Sequence, residues 1–275
     1  MIDFGAVPSD GGNRGGMERK GSPEVSGSTD WRVDVGWLDL TLPTVEENLA
    51  VDEALLVAAD ERNGKAVLRF WEQPGSAVVL GASRRIDADV QVERCVADGV
   101  PIARRSSGGG SVLIGPGALN VTLVLPIAAN PALATVDGAQ SSVLERIAAG
   151  IRVGGAAVEV CGSGDLTVGG RKFAGSAQRR LKNWILVHAS ILYDLPIHRI
   201  DRYLRLPGRQ PTYRRGRSHE DFLMNLPISR TILCDLIRST WSPSSLLTAT
   251  SDVPQDLLES LLAEKFANRS WIERL

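Results

Sequence analysis

The sequence predicts an α+β fold, with a mixed and largely antiparallel sheet, flanking helices and a small helical segment at the C-terminal end. Short β-branched or apolar runs are separated by Gly and Pro, which favours hairpins over regular βαβ repeats. Helical apolar spacing is limited to a few separate segments. The 275 residues are 43% hydrophobic and 23% charged, a composition that supports one large globular core.

Three parts are expected along the chain. Residues 1–30 are rich in Gly and poor in bulky apolar side chains, so they cannot offset the entropy of ordering and are predicted to form a disordered tail. Residues 31–227 carry the strand patterns and the motifs, and we expect them to form the main domain. Apolar residues recur at helical spacing in residues 228–275, which predicts a helical C-terminal segment.

The first predicted element is a strand over residues 31–40, followed by an amphipathic helix over residues 43–59. Thr44 is the expected N-cap of this helix, and Glu47 completes a capping box. Short apolar runs indicate the later strands, which are residues 66–71, 76–80, 100–104, 111–113, 119–125, 157–161, 166–168, 172–178 and 184–193. Helical spacing predicts two further helices, residues 88–98 and 140–150.

The overall charge gives no reason to expect a nucleic-acid or membrane partner, because the formal net charge is only -1. The longest apolar runs fall short of the ~20 residues that cross a bilayer, and the first residues lack an apolar signal core. Cys95, Cys161 and Cys234 are widely spaced, with no CxxC pair. We therefore expect a soluble protein in a reducing, cytoplasmic compartment, with no disulfide framework and no resident metal site.

The sharpest motif is the run of residues 104–112, which has the sequence Arg-Arg-Ser-Ser-Gly-Gly-Gly-Ser-Val. Glycines let backbone amides approach a phosphate without an intervening Cβ, and arginines supply planar, bidentate donors. The run is neither a P-loop nor a dinucleotide fingerprint. It indicates an anion site, with a tight turn and solvated arginines as the alternative. The predicted ligand residues are Arg104, Arg105, Gly108, Gly109, Gly110, Ser111 and Val112.

A second motif, residues 164–180, places Lys172 in an apolar and Gly-rich hairpin. The neighbouring Phe173 and Ala174 indicate partial burial, and a buried ammonium needs an anionic partner such as a carboxylate or a phosphate. A lysine that extends to solvent is the alternative. Asp165 is a second candidate in this motif, with a simple turn-forming role after Gly164 as its alternative.

Taken in order, these motifs resemble those of the lipoate-protein ligase family, which shares a superfamily with biotin ligases and octanoyltransferases. His188 stands where the family often has His-Gly-Thr, and Ala189-Ser190 replace the last two residues. The resemblance covers most of the chain. It is carried by residues 48–55, 68–71, 78–81, 104–112, 117–120, 165–166, 170–177 and His188.

The resemblance implies the class II synthetase-like fold of biotin and lipoate ligases, with helices on one side of a mixed sheet. It implies an ATP-dependent lipoate-protein ligase that activates lipoate to lipoyl-adenylate and passes the lipoyl group to a lysine of an acceptor lipoyl domain. The implied ligands are ATP, Mg²⁺ bound with the nucleotide, and lipoate or octanoate.

The same resemblance implies roles for the motif residues. Arg105 and the loop of residues 108–112 would contact the adenylate phosphate and the lipoyl chain. Lys172, the expected catalytic residue, would lie against the carboxylate and the α-phosphate, where an ammonium stabilises the charge that builds on the transferring phosphate. Asp165 would help to hold Mg²⁺ or the adenine, and His188 belongs to the same ligand-binding set.

Two alternatives to the ligase remain open. Octanoyltransferases of this fold use a cysteine nucleophile before the lysine hairpin, and Cys161 would then form a thioester without ATP. Cys161 lies only four residues before Asp165, which favours a buried structural thiol instead. The other alternative is a non-catalytic relative that binds a lipoyl group without activating it.

The C-terminal region departs from the family pattern, because well-known bacterial ligases carry a further C-terminal domain and only about fifty residues follow the 213–226 stretch. Either activation works without that domain or an accessory chain supplies it. Basic patches at Arg179, Arg180 and Lys182 and at residues 209–219 would steer an acidic acceptor domain or the triphosphate, with solvated faces as the alternative.

Overall fold

The computed structural model describes residues 31–62, 64–248 and 252–275, and the predicted tail of residues 1–30 lies outside them. The strands are β1 (Val35–Asp39), β2 (Ala66–Trp71), β3 (Ala77–Leu80), β4 (Ile102–Arg104), β5 (Val112–Ile114), β6 (Ala118–Pro126), β7 (Glu159–Cys161), β8 (Asp165–Val168), β9 (Arg171–Arg180), β10 (Trp184–Leu192) and β11 (Ser245–Leu246). The α-helices are α1 (Val45–Glu61), α2 (Ile86–Asp89), α3 (Val92–Ala97), α4 (Val136–Val153), α5 (Ile200–Tyr203), α6 (His219–Phe222), α7 (Arg230–Trp241), α8 (Gln255–Leu261) and α9 (Arg269–Ile272), with a π-helical turn at Leu262–Phe266.

The strands form two sheets. The larger has the order β11-β1-β2-β6-β10-β9-β8-β7, and the smaller has the order β4-β3-β5. In the larger sheet β1 is parallel to β2 and to β11, and the other described pairings are antiparallel. The predicted mixed, largely antiparallel sheet is therefore confirmed.

Helices cover both faces of the larger sheet. On one face α4 and α7 contribute Val143 and Ile237 to a buried cluster with Val121 of β6. On the other face α1 places Leu55 in a second cluster with Val124 of the same strand. Because side chains alternate along a strand, Val121 and Val124 face opposite sides. The flanking helices are confirmed, and the expectation of helices on one side was wrong.

The first helix begins where the sequence predicts. Glu47 N donates to Thr44 Oγ1 at 3.2 Å, and Thr44 N donates to Glu47 Oε2 at 2.8 Å. These two bonds satisfy amides that the first turn leaves unpaired. The predicted capping box is thus confirmed, and α1 continues to Glu61, two residues beyond the predicted end.

Two predicted elements differ from the structure. The helix predicted over residues 88–98 is split into α2 and α3, because Val90 between them forms a β bridge with Leu204. The C-terminal segment contains a strand as well as helices, since β11 extends the larger sheet beside β1. A strand of two residues has no periodic pattern that could predict it.

The C-terminal helices pack onto the rest of the chain. α7 contacts α4, α8 and the π-helical turn contact α1, and α9 contacts β4. These contacts place the end of the segment against α1 and against β4, which leads into the first motif. Within the three described ranges, no helix is both long and apolar enough to cross a bilayer.

Candidate active site

The Gly loop, defined here as residues 105–111 between β4 and β5, lies against strand β9 of the larger sheet. Gly109 has a φ of +84°, and a Cβ added there would lie 3.5 Å from Ala177 Cβ and 3.0 Å from Arg105 Nη2. Arg179 Nη1 lies 3.4 Å from Ser106 O. The first and second motifs, which are far apart in sequence, therefore face each other across a narrow gap.

Arg105 is buried beneath the Gly loop and holds its shape. Its Nη2 donates to Gly108 O and to Gly110 O, both at 2.7 Å, and its Nε donates to Ser107 Oγ at 3.0 Å. No described carboxylate forms an ion pair with it, and burial lowers the pKa of Arg105 to about 10, so the guanidinium is charged at neutral pH. The loop thus has a fixed positive charge at its base, which favours an anion above it.

Arg104 takes a structural role in place of the predicted anion contact. The side chain has no exposed surface, since strand alternation points it away from Arg105. Its donors reach backbone carbonyls, among them Gly81 O at 3.0 Å and Ile272 O at 2.8 Å. Arg104 therefore ties α9 to the base of the smaller sheet and has no access to a ligand.

Ser111 forms the outer end of the Gly loop, and Val112 begins β5. Ser111 Oγ donates to Asp89 Oδ2 at 2.5 Å, and the same carboxylate pairs with Arg84. Although burial opposes ionisation, these bonds lower the pKa of Asp89, so it is a fixed carboxylate. Val112 packs against a buried apolar cluster. The Ser111 hydroxyl is thus engaged with α2, and the contacts of Ser111 and Val112 with a ligand stay predictions.

Lys172 lies over Gly175 and is held by Asp165. Lys172 Nζ is 2.6 Å from Asp165 Oδ1, and Tyr213 OH donates to Asp165 Oδ2 at 2.6 Å. Burial and the neighbouring carboxylate raise the pKa of Tyr213, so its hydroxyl keeps its proton and donates it. A Cβ added to Gly175 would lie 2.6 Å from Lys172 Nζ. The absence of a side chain at Gly175 therefore makes room for the ammonium.

A β-bulge in β9 directs Lys172 to this position. Leu166 pairs with Ala174 and the next residue of β8, Thr167, pairs with Lys172, so Phe173 is the extra residue. Phe173 and Ala174 are both in the core, and the bulge lets Lys172 share the face of Gly175 although the two residues are three positions apart, an odd separation. Bulges commonly redirect a side chain in this way.

The Lys172 ammonium and the Gly loop lie at neighbouring points of one face of the sheet. Gly175 and Ala177 are two residues apart on β9 and face the same side, which separates them by about 7 Å along the strand. Lys172 Nζ lies over the first of these residues and the Gly loop over the second. The two predicted motifs therefore meet at one site that has positive charge on two sides.

His188 connects the Gly loop to β10. Its Nε2 is 2.7 Å from Ser107 Oγ, and burial together with the charge of Arg105 lowers the pKa of His188 to about 3. The imidazole is therefore neutral at physiological pH. His188 is a partly buried, uncharged hydrogen-bonding residue of the site and provides no positive charge for an anion.

Beside His188 is a small hollow, which we call the inner cavity. It contains about 230 Å³ of empty space, counting the part that is open to solvent. Its walls are Leu49, Asp52, Glu53, Arg105, Ser106, Ser107, Leu186, His188 and Phe266. Three of these nine residues are apolar, and six carry polar or charged groups.

Glu53 lies at one end of the inner cavity and forms ion pairs with two cations. Lys265 Nζ donates to Glu53 Oε1 at 2.8 Å and to Oε2 at 2.7 Å, and Arg179 Nη2 lies 3.4 Å from Oε1. Arg180, next to Arg179, points to the opposite face and donates to Leu133 O at 2.8 Å. The structure thus divides the first predicted basic patch, and only Arg179 of these two arginines faces the site.

The sequence did not identify Glu53, Tyr213 or Phe266 as members of the site. Tyr213 lies within the second predicted basic cluster, and an aromatic hydroxyl among arginines was its sole signal. Glu53 lies on the helix that carries the first family motif, where a buried carboxylate cannot be told from a solvated one without the structure.

The three cysteines have different environments. Cys95 and Cys234 are buried, as expected for core residues of helices. Cys161 is partly exposed and lies opposite Asp165 in the β7–β8 ladder, and its Sγ is 3.3 Å from Thr167 Oγ1. Because directly paired residues project from the same face, Cys161 shares the face of Asp165 and Lys172. The expectation of a buried thiol was wrong, because Cys161 is only partly buried.

Acid is expected to destabilise the fold through His188. Its pKa is lowered to about 3 in the folded state, from an ordinary value of 6.5. The unfolded chain therefore binds more protons between these values, so this contribution to stability is complete above pH 6.5 and is lost as the pH falls toward 3. Titration of His188 changes the free energy of unfolding by at most about 1.4 kcal/mol per pH unit.

Urea unfolding at a series of pH values would measure this effect, with His188→Gln expected to flatten the dependence below pH 6.5. His198 is exposed, and His198→Gln serves as the matched control that should keep the dependence of the wild type. An equal pH dependence in all three proteins would contradict the assignment.

The described residues contain no cluster of three or more His, Cys, Asp or Glu side chains that could hold a metal ion.

A family model described as the lipoyl protein ligase A/B catalytic domain matches residues 44–227. The matched span begins at the N-cap of α1 and includes the Gly loop, Lys172 and His188. Phe266 and Lys265 lie beyond it.

Curated relatives include both ligases and transferases. A putative lipoate-protein ligase A of Aeropyrum pernix is 33% identical over 157 residues, which is 56% of this chain and 56% of the relative. The octanoyltransferase LipM of Carboxydothermus hydrogenoformans is 26% identical over 255 residues, which is 83% of this chain and 94% of the relative. The chain spans only about half the length of several of the relatives that it matches.

Solved structures of lipoate-protein ligases share the fold. A bipartite lipoate protein ligase from Thermoplasma acidophilum, studied with its E2 lipoyl domain, superposes with a TM-score of 0.72 at 19% identity, covering 88% of this chain and 96% of that protein. A lipoate-protein ligase A bound with ATP gives a TM-score of 0.70 at 20% identity, covering 88% of this chain and 100% of that protein. The biotin/lipoate ligase fold implied by the sequence is confirmed.

Proposed function

The chain belongs to the lipoyl protein ligase A/B catalytic domain family, and we propose that it is an ATP-dependent lipoate-protein ligase. In this proposal it activates lipoate to lipoyl-adenylate and transfers the lipoyl group to a lysine of an acceptor lipoyl domain. One observation carries the proposal. The ammonium of Lys172, oriented by Asp165 and Tyr213, lies on the same sheet face as the Gly loop, whose base holds the buried charge of Arg105.

This arrangement fits the chemistry of adenylation. A carboxylate oxygen of lipoate attacks the α-phosphorus of ATP, the bond from that phosphorus to the bridging oxygen breaks, and pyrophosphate leaves. Negative charge builds on the transferring phosphate, next to Lys172 on one side and to the Gly loop on the other. Fixed positive charge of this kind lowers the barrier because it needs no reorganisation during the reaction.

Transfer to the acceptor completes the cycle. The amine of the acceptor lysine attacks the acyl carbonyl of lipoyl-adenylate, an amide bond forms, and AMP leaves with the electron pair of the mixed anhydride. Mg²⁺ would enter with the nucleotide, where it offsets phosphate charge, and Asp165 is the carboxylate of the site that would offer it an oxygen ligand. The protein's own cations, Lys172 and Arg105, offset the negative charge that builds on the transferring phosphate.

The proposed partner is a lipoyl domain, and the relative from T. acidophilum is named together with its E2 lipoyl domain. Arg171, at the start of β9, is exposed and contacts the carbonyls of Glu220 and Leu223. Arg215 is also exposed, in the second basic cluster. These arginines flank the Lys172 hairpin, where an acidic domain would be guided toward the site. Because the relative is bipartite, an accessory chain remains part of the proposal.

An octanoyltransferase is the second candidate. Cys161 shares the face of Lys172, and the octanoyltransferase LipM of C. hydrogenoformans is matched over 94% of its length. The Cys161 thiolate would attack an octanoyl thioester, release the carrier thiol, and pass the octanoyl group to the acceptor lysine. The ligase is favoured because a nucleophilic thiolate needs a nearby base or cation, whereas Cys161 Sγ contacts a hydroxyl and the Lys172 ammonium is engaged by Asp165.

Release of pyrophosphate tests the proposal. The protein is incubated with ATP and Mg²⁺, with and without lipoate, and pyrophosphate is measured by a coupled enzyme assay. The ligase is expected to release pyrophosphate only when lipoate is present, and octanoate in place of lipoate reports how selective the acyl site is. A folded protein that binds lipoate and releases none would be a binding module or a transferase, and the proposal would fail.

A further inference from the structure

The inner cavity ends at a side chain that comes from the C-terminal segment. Phe266 is 1% exposed and forms part of the cavity wall with Leu49 of α1 and Leu186 of β10. We infer that Phe266 is the specificity-determining residue that limits the length of the acyl chain, so that the enzyme accepts medium-chain acids and excludes longer ones. This inference rests on the proposed function, and it concerns a residue outside the matched family span.

The register of the sheet gives the path from the reacting carboxylate to Phe266. Lys172 Nζ lies over Gly175, and the next residue on that face, Ala177, pairs with His188 of β10. His188 and Phe266 are both walls of the inner cavity. An acyl chain whose carboxylate contacts Lys172 would therefore pass Ala177 along the edge of the Gly loop and point its tail at Phe266.

The chemistry of the cavity suits a short apolar tail. Leu49, Leu186 and Phe266 supply the apolar surface, and the polar groups around them are already paired, as for His188 with Ser107 and for Glu53 with Lys265. The hollow is small, since its empty space of about 230 Å³ includes space that is open to solvent. A tail that extends beyond this space must displace Phe266.

Polar contacts on both sides of Phe266 keep it in place. Lys265, the preceding residue, donates to both oxygens of the buried Glu53 carboxylate. Five residues later, Trp271 Nε1 donates to Arg104 O at 2.9 Å, and Arg104 in turn donates to the carbonyl of Ile272. Because the segment is fixed at two points, Phe266 forms a rigid end wall, and movement of the segment would break buried hydrogen bonds.

Acid binding to Phe266→Ala tests the inference. Hexanoate, octanoate, decanoate and dodecanoate are titrated into the full chain by calorimetry, and the same acids are then assayed for pyrophosphate release with ATP and Mg²⁺. The wild type is expected to bind dodecanoate much more weakly than octanoate. In Phe266→Ala the ratio of dodecanoate affinity to octanoate affinity should rise about tenfold or more, since one methylene in a closed apolar pocket changes discrimination about 10–200-fold.

Two further variants separate a lost wall from a loosened segment. Leu262 lies in the same π-helical turn and is partly buried, but it is not part of the cavity wall. Leu262→Ala is therefore the matched control, and it should keep the wild-type chain-length profile. Phe266→Trp should shorten the cavity, so that octanoate affinity falls relative to hexanoate affinity. This variant keeps the test informative if the alanine variant does not fold.

The outcomes distinguish the inference from the proposed function. A shifted binding profile without any pyrophosphate release would support Phe266 as the limit on chain length and contradict the ligase. Pyrophosphate release with equal chain-length profiles in the wild type, Phe266→Ala and Phe266→Trp would support the ligase and overturn the inference. Equal shifts in Phe266→Ala and Leu262→Ala would also overturn it, because segment packing would then explain the effect.

Discussion

Lys172→Ala is expected to lower the rate of lipoyl-adenylate formation about 100- to 1,000-fold, because removal of one fixed donor to a developing charge costs about that much. The side chain is not part of the core, and its removal leaves Asp165 paired with Tyr213. We therefore expect the unfolding temperature to change little. The measurement is single-turnover formation of lipoyl-adenylate and pyrophosphate from lipoate and ATP, followed by quenching.

Lys65 is the matched control for this variant, since it is an exposed lysine just before β2 and lies outside the site. Lys65→Ala should keep the wild-type rate. A folded Lys172→Ala variant that turns over at close to the wild-type rate would remove Lys172 from the catalytic machinery and, with it, the assignment of the site.

Gly175→Ala is expected to reduce adenylation about 100-fold without removing any charge. An added Cβ would lie 2.6 Å from Lys172 Nζ and 3.5 Å from Asp165 Oδ1, so the ammonium must move. Displacement of a reacting group by about 1 Å can cost on the order of 100-fold in rate. The Lys172 side chain is flexible, so the change costs little stability, and a loss of rate with an unchanged unfolding temperature is the expected signature.

Gly75→Ala is the control, because a Cβ at Gly75 would meet nothing within 4 Å. It should leave both the rate and the unfolding temperature unchanged. If Gly175→Ala also kept the wild-type rate, the position of Lys172 over Gly175 could not be the one that matters for catalysis.

Local signals in the sequence predicted the local features correctly. The capping box of α1 depends on two side chains three residues apart, Thr44 and Glu47, and the structure confirms it. The Gly loop and the Lys172 hairpin were also identified from their own residues. Their meeting on one sheet face was implied by the family resemblance, because no pattern within either motif specifies how β4 and β9 are brought together.

Features that depend on distant contacts could not be predicted. Arg104 and Arg105 are equivalent in the sequence, and only the direction of β4 decides that Arg105 supports the loop while Arg104 binds α9. The bulge that directs Lys172 depends on the register with Thr167. Lys265 reaches Glu53 from 212 positions away, so no local pattern could have placed the C-terminal segment against the site.

Intact mass spectrometry of Cys161→Ser and the wild type tests the central claim of an ATP-dependent ligase most directly. Each protein is incubated with an acceptor lipoyl domain, once with lipoate, ATP and Mg²⁺ and once with octanoyl carrier protein without ATP. The ligase predicts that both proteins label the acceptor in the first incubation only, and that neither enzyme gains acyl mass. Labelling of the acceptor without ATP that disappears in Cys161→Ser, together with an octanoyl increment on the wild-type enzyme, would contradict the claim and establish Cys161 as the nucleophile of a transferase.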